Sequence, residues 1–412
     1  MKTINDYSEE IYKCTKCGLC QAVCPVFEVT GLETAVSRGK FTLLNAAIGG
    51  KIEFNKNLAK HLDLCLGCKA CYDFCPSGIS AEEIINAARY HSYKLYGIGF
   101  LKRFIVANFE SKLNLNILKV FLQIYSKTGA IKLVNTLSSI IKPLKNPVYL
   151  FNSQIKENIQ YKKMKPVKDK SALKIAYFPG CINNYVNKSV KNSILIVLEK
   201  NGYKVNIPDF SCCGIPARSA GNLDSMIRLA KQNLDKIDPD IDYLLTDCAS
   251  CGSVWKIYED ILEGDLKQKA KIVANKAINI NKFLVMQNIY MPANTKINKT
   301  VTYHDPCHLR RFQGIHEEPR ALLKSIPGIK YIEMEEADKC CGASGTFCVS
   351  QPEISRAISA KKGRNIINTK ADIATTSCPS CKIGLTQGLC TNDSQIPIYQ
   401  PVELLAELYS KE

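Results

Sequence analysis

No apolar run in this 412-residue sequence reaches the ~18 residues that a membrane-spanning helix needs. The longest candidates, Phe104 to Phe109 and Leu133 to Ile141, fall far short, so no integral membrane segment is expected. The apolar stretch of a secretory signal is missing from residues 1–20 (MKTINDYSEEIYKCTKCGLC), which carry charges instead. The expected compartment is therefore reducing and cytoplasmic, where thiols stay free to bind metal. No G-x-G-x-x-G follows a strand-like run, which excludes a dinucleotide site on this chain. Acidic residues are scarce between positions 88 and 170: only Glu110, Glu157 and Asp169 stand against 16 lysines and arginines, so most of the formal net charge of +17 falls there. Cysteine is missing between Cys75 and Cys181.

Elsewhere cysteine is abundant, 20 in all, with eight before residue 76 and twelve from Cys181 onward. At roughly 100 to 200 residues per domain the chain divides into two to four domains. In the cysteine-free stretch, Leu113, Ile117, Val120, Phe121 and Ile124 recur at three and four residues and predict an amphipathic helix. Pro143, Pro147 and Pro166, with the lysine-rich run Lys162 to Lys170, then read as a linker.

The remainder repeats itself. Cys181 and Cys307 are 126 residues apart, Cys212 and Cys340 are 128 apart, and Cys248 and Cys378 are 130 apart. Each unit opens on a strand-like run (Lys174 to Phe178; Thr300 to Tyr303) that ends in Pro-Gly-Cys or Asp-Pro-Cys. A helical stretch, a second extended run (Tyr203 to Ile207; Tyr331 to Met334) and Cys-Cys-Gly follow. After another helix, a third run (Tyr243 to Thr246; Ile373 to Thr376) leads into Cys-x-x-Cys. Alternating strands and helices predict two parallel α/β units with their cysteines at the loops after the strand ends, where open α/β sheets place ligands.

The first constellation is Cys14-x-x-Cys17-x-x-Cys20-x-x-x-Cys24-Pro25, repeated at Cys65, Cys68, Cys71 and Cys75-Pro76. Three thiolates at this step wrap one cubane 4Fe-4S cluster, while the fourth, before proline, serves the neighbouring cluster. The expected sets are Cys14, Cys17, Cys20 and Cys75 for one cluster, and Cys65, Cys68, Cys71 and Cys24 for the other. Structural zinc is disfavoured, because zinc modules use two separated ligand pairs and seldom a third cysteine at this step. Between the runs, Ser37 to Ile48 reads as a helix with Phe41, Leu44 and Ile48 on one face, which favours an all-α ferredoxin over a compact one.

The second constellation is Cys181, Cys212, Cys213, Cys248 and Cys251, and again Cys307, Cys340, Cys341, Cys378 and Cys381. Five thiolates exceed what a cubane uses, so each set implies an unusual cluster or a cubane with a spare thiol. Glycine after each cysteine pair lets backbone approach closely. A zinc site or a buried thiol core is the bland alternative, and the repetition of five cysteines in one order disfavours it. Cys348 and Cys390 are left as packing residues. His304, Asp305, His308, Arg310 and Arg311 flank Cys307; His308 and His304 are candidate proton donors, and the arginines candidates for holding an anion. Asn183, Asn184 and Tyr185 take the matching place in the first unit, so the two sites are not equivalent.

These motifs (YFPGC…SCCG…DCASC and YHDPCH…KCCG…SCPSC after two CxxCxxCxxxCP runs) resemble the iron-sulfur subunit of glycolate oxidase. Similar families include the lactate-utilisation and anaerobic glycerol-3-phosphate dehydrogenase iron-sulfur subunits and the D subunit of heterodisulfide reductase. SRGKFTLLNAA and PRALLKSIPG extend the resemblance to almost the whole chain, and the basic stretch from about Gly97 to Lys170 is left without a match. The resemblance implies an electron conduit, soluble or peripheral on the inner face of the membrane. Its partner would be a flavoprotein carrying FAD, and its acceptor a quinone, a membrane anchor or an electron-carrier protein. It also implies noncubane 4Fe-4S clusters on the two five-cysteine sets, which in the heterodisulfide reductase branch cleave a disulfide. The expected fold is α+β: an all-α ferredoxin-type domain over 1–90, a basic helical segment and linker over 91–170, and two CCG domains over 171–298 and 299–412. A nucleic-acid role is disfavoured, since no recognition module accompanies the basic balance.

Overall fold

A computed structural model describes residues 3–127, 152–153, 159–170 and 172–412. Pro143, Pro147 and the apolar run from Leu133 lie outside the described residues. The fold is α+β. Residues 3–127 are helical among the described residues, and two four-stranded parallel sheets follow. The first sheet is built from β1 (Ile175–Phe178), β2 (Val205–Asn206), β3 (Tyr243–Thr246) and β4 (Ala277–Asn279) in the order β2-β1-β3-β4. The second repeats this with β5 (Lys299–His304), β6 (Ile329–Tyr331), β7 (Ile373–Thr376) and β8 (Ile398–Tyr399) in the order β6-β5-β7-β8.

β1 and β7 are buried along their whole length, as expected of central parallel strands covered on both faces. The chain leaves β1 toward one edge and returns to place β3 on the other side, so the loops after β1 and β3 flank the point where strand order reverses. Cys181 follows β1 and Cys248 follows β3; Cys307 and Cys378 stand likewise after β5 and β7. The strand predicted for Tyr331 to Met334 instead occupies Ile329–Tyr331, and β2 is only two residues long.

The two units share a core. Ile175, Tyr177, Ile194 and Leu198 of the first pack in one buried cluster with Val301, Tyr303, Leu405 and Tyr409 of the second. The helix Pro401–Ser410 lies against the helix Lys188–Lys200, joined by a buried hydrogen bond of 2.7 Å from the Ser189 hydroxyl to Glu403. Residues 165–170 run along the first unit, with Val167 N and Lys170 N donating to the carbonyls of Lys200 and Gly202.

In the N-terminal region the helix Ser37–Ile48 forms as predicted and buries Phe41 and Leu44 against Ile84 and Ile85 of the helix Ala81–Tyr96. The helix Lys112–Lys127 also forms, but Leu115 and Leu122 are its buried residues, while Leu113, Ile117, Val120 and Phe121 are exposed. The predicted apolar face is thus turned outward, because a second stripe at i and i+7 makes the packing contact.

Charge pins the N-terminal region to the second unit. Lys361 bridges Glu28 at 2.5 Å and Glu336 at 2.9 Å, and Lys339 bridges Glu336 at 2.6 Å. Burial pushes Glu336 up, yet the two ammonium groups prevail and hold it at about 2; Lys361 first, then Lys339, draws Glu28 below the usual carboxylate range as well. A carboxylate depressed in the folded state adds stability above its unfolded value, near 4.3, and loses it as pH falls toward the folded one. The native chain should therefore lose more stability than Glu336→Gln between pH 5 and pH 3. Parallel acid profiles of the two, read by hydrogen exchange over Pro25–Thr30, would contradict this.

Candidate metal centres

Backbone geometry repeats between the two N-terminal loops. Lys16 and Gly67, one residue before the second cysteine of each run, have φ of 57° and 65°; Gly18 and Lys69, one residue after it, have φ of 89° and 57°. A left-handed turn on either side of the middle cysteine curls the chain so that three side chains converge, at a cost for lysine that glycine escapes. One cleft of about 420 Å³ is lined by Cys14, Cys17, Cys20, Cys71 and Cys75. A second, of about 440 Å³, is lined by Cys24, Cys65, Cys68 and Cys71. The fourth cysteine of each run thus lies with the other run's triplet. Burial pushes the Cys71 thiol up to about 12, and the Cys20 and Cys24 thiols upward too. Bare thiolates are therefore costly in these clefts, and a cationic centre is what would offset that cost.

In the two α/β units the ten cysteines form one unbroken series of neighbours. Cys181 Sγ lies 3.7 Å from Cys212 Sγ; Cys212 meets Cys213, Cys213 meets Cys251, and Cys251 meets Cys248. Cys248 then meets Cys378 of the second unit, with Ser250 Oγ 3.6 Å from Cys378 Sγ and Ala249 N donating to the Ser377 carbonyl at 3.0 Å. Cys378 meets Cys381, Cys381 meets Cys341, Cys341 meets Cys340 and Cys340 meets Cys307. Cys68 of the N-terminal region lies near enough to feel its end: burial, and then the charge of Cys307, push the Cys68 thiol well up.

Two glycines keep these sites open. A Cβ on Gly180 would stand 2.9 Å from Cys251 Sγ, and one on Gly384 would stand 3.1 Å from Cys341 Sγ. The glycines of the Cys-Cys-Gly motifs do something else. Gly214 and Gly342 take φ of 90° and 84° and admit Met226 and the Ser355 carbonyl, so they seat a helix against the site.

The charged residues that flank Cys307 mostly pair with other side chains. Asp305 accepts from both Arg320 nitrogens at 2.8 Å, and Arg310 reaches it only at 3.5 Å. Arg311 pairs with Asp73 at 2.8 Å and Asp338 at 2.9 Å. His308 is buried, stacked on Phe312 at 4.4 Å, with Nδ1 2.8 Å from the Ser253 hydroxyl of the first unit; burial lowers its pKa and favours the neutral ring. His304, fully buried, lies with Cys341 and Cys381, their ligand atoms all within 4.8 Å of one another. In the first unit Asn183, two residues after Cys181, is also fully buried, with Asn184 bonded to Lys191.

Two residues escaped the sequence reading. Arg320 carries Asp305, and nothing but its charge in a helix flagged it. Asp247, directly before Cys248, is buried, accepts from the Tyr177 hydroxyl at 2.6 Å and is pushed by burial up to about 7. A carboxylate closing an apolar strand beside Cys-x-x-Cys was the available signal.

Residues 175–255 and 301–386 match the family model of the cysteine-rich CCG domain, and residues 10–79 match that of the 4Fe-4S dicluster domain. The chain is 30% identical to Lactate utilization protein A of Oceanobacillus iheyensis, over 57% of the chain and 96% of that protein. The chain belongs to the CCG-domain iron-sulfur family. Within it, the chain is 29% identical to the Probable glycolate oxidase iron-sulfur subunit of Bacillus subtilis, over 94% of the chain and 93% of that protein. Identity is 28% to the D subunit of the dihydromethanophenazine:CoB--CoM heterodisulfide reductase of Methanosarcina barkeri, over 97% and 94% respectively. A CCG-domain iron-sulfur protein of this kind is an electron-transferring component of an oxidoreductase. The donor set fits iron-sulfur clusters: thiols converge on clefts, glycines hold space beside Sγ atoms, and a buried imidazole near two of them has no nitrogen or oxygen partner among the described residues. No helix among the described residues is long and apolar enough to cross a membrane.

Proposed function

We propose that the chain is the iron-sulfur subunit of a flavin-dependent 2-hydroxy-acid (glycolate- or lactate-type) or glycerol-3-phosphate dehydrogenase complex. The observation that carries this is the unbroken series of thiols from Cys307 through Cys378 and Cys248 to Cys181, with the charge of Cys307 felt at Cys68. Cys14, Cys17, Cys20 and Cys75 would hold one cubane cluster, and Cys65, Cys68, Cys71 and Cys24 the second. Each five-cysteine set would hold a noncubane cluster. Bound there, such clusters accept and release single electrons. The chain's own residues supply the rest: they desolvate the thiolates, hold neighbouring sets in contact across domain boundaries, and exclude water. FAD belongs to a partner flavoprotein. The basic segment supports an acidic partner surface or an anionic membrane surface as its docking site, an attraction that salt screens.

A second reading, a disulfide reductase with its own reactive centre, is favoured by the completeness of both five-cysteine sets. The two readings part at His308. Co-expression with an FAD-linked oxidase from a neighbouring gene should yield a complex that reduces a dye with the hydroxy acid, and whose assembly weakens from low to high salt. In that complex His308→Ala should keep its iron and lose less than about tenfold of dye reduction. A selective loss of disulfide reduction of the ~10²- to 10⁴-fold expected of a missing general acid would promote the second reading.

A further inference from the structure

The two units place different chemistry at one position of the repeat. Phe178 closes β1 and pairs in register with Thr246; His304 closes β5 and pairs in register with Thr376. In the first unit Phe178 meets Phe210 at 4.8 Å and Trp255 at 5.3 Å, so its end of the site is an aromatic wall. The residues at the matching distance from the cysteines in the second unit are Asp338 and Leu385, and that wall is absent there. Into this space comes an imidazole with no exposed surface. Neither nitrogen has a nitrogen or oxygen partner among the described residues, and the Cys341 sulfur is the group the ring acts on. A buried polar group left unpaired costs about 1–3 kcal/mol, and native proteins rarely tolerate it. The sulfurs of Cys341 and Cys381, two of the five thiols of the second set, lie within 4.8 Å of it.

A ring nitrogen that ligates metal almost always has its other N–H held by a carboxylate, carbonyl or water, which fixes the ring. His304 has no such holder among the described residues. Donation of an N–H to sulfur needs no holder, and the neutral ring suffices for it. A hydrogen bond to a thiolate or sulfide withdraws charge from the sulfur and favours the reduced form, one of the levers that set iron-sulfur potentials. Phe178 has no N–H to give.

We propose that His304 is a tuning residue that donates an imidazole N–H to the sulfur atoms of the second five-cysteine centre and holds that centre at a higher potential than the first. The inference rests on the cluster assignment of the preceding subsection. It gives the two repeats separate places in an electron sequence: the second set, whose thiols stand between Cys68 and those of the first set, is the more readily reduced of the pair.

The test uses the full anaerobic chain with its iron counted first. In His304→Phe, which copies the first unit, one of the two CCG redox waves should shift downward. The reduced-to-oxidised ratio at fixed potential should change about tenfold, which for a one-electron couple is about 59 mV, while the other wave stays. His304→Gln, which keeps an N–H donor, should restore most of the shift. The native chain carrying ¹⁵N-histidine should show a weak nitrogen coupling to the reduced centre by pulsed EPR. Full iron with an unmoved wave, or a coupling as strong as that of an iron-bound imidazole, would overturn the donor role and leave the cluster assignment standing. Iron missing from the second set in the native chain would overturn both. If His304→Phe loses iron, the labelled native chain decides, since absence of any histidine coupling there rejects the proposal.

Discussion

Cys24→Ala is expected to remove one cluster and spare its neighbour, lowering anaerobic iron from about 16 to about 12 atoms per chain. Cys24 precedes Pro25 in the first run, yet its side chain lines the cleft of Cys65, Cys68 and Cys71 and packs in one cluster with Leu66 and Cys340. The triplet left behind includes Cys68, on which the charge of Cys307 acts, so reduction of the CCG centres from the N-terminal end should fall to background although their own ten cysteines are intact. EPR and iron analysis under anaerobic conditions check this; exposed thiolates oxidise readily, so aerobic counts do not. Loss confined to the cluster on Cys14, Cys17 and Cys20 would reject the crossed wiring.

Arg218→Met is the substitution expected to cost most outside the cysteines. Glu82 is 4% exposed and Arg218 is its ionic partner, the first from the N-terminal region and the second from the first CCG unit. Burial alone would raise the Glu82 pKa; the guanidinium outweighs it and keeps the carboxylate ionised. Removing the arginine leaves an uncompensated buried charge, a change worth about 3–5 kcal/mol. Replacing both groups, as Arg218→Met with Glu82→Gln, should recover most of that loss, because the Asn86 amide still donates to the remaining oxygen. Thermal unfolding and protease release of the N-terminal region measure both variants. A single variant as stable as the native chain, or a double variant no better than the single, would show that the pair does not hold this interface.

Motif spacing carried much of this protein into view before any coordinates. Two CxxCxxCxxxCP runs specify their own loops because the turn geometry is local, and the 126- to 130-residue repeat specifies two like units because each strand-loop-helix step is local too. What escaped is non-local or short. Ala277–Asn279 and Ile398–Tyr399 are strands of three and two residues, below the length at which alternation is visible. The contact of Cys248 with Cys378 joins positions that no local pattern relates. On Lys112–Lys127 the apolar residues form two stripes, and only tertiary packing selects Leu115 and Leu122. His304 was visible as an imidazole beside a ligand, but whether it faces solvent or sulfur depends on strand register.

The shared core also sets an order of assembly. Glu403 bonds Ser189 across 214 residues of sequence, and Tyr409 bonds Asn201 across 208. At the ~5–20 residues per second of translation, the first unit waits roughly 6 to 22 seconds for the helix that covers Ile194 and Leu198. During that interval its apolar face is open to the surroundings, so quality control of this chain falls on a partly covered intermediate, and a ribosome stalled before Pro401 leaves that face uncovered.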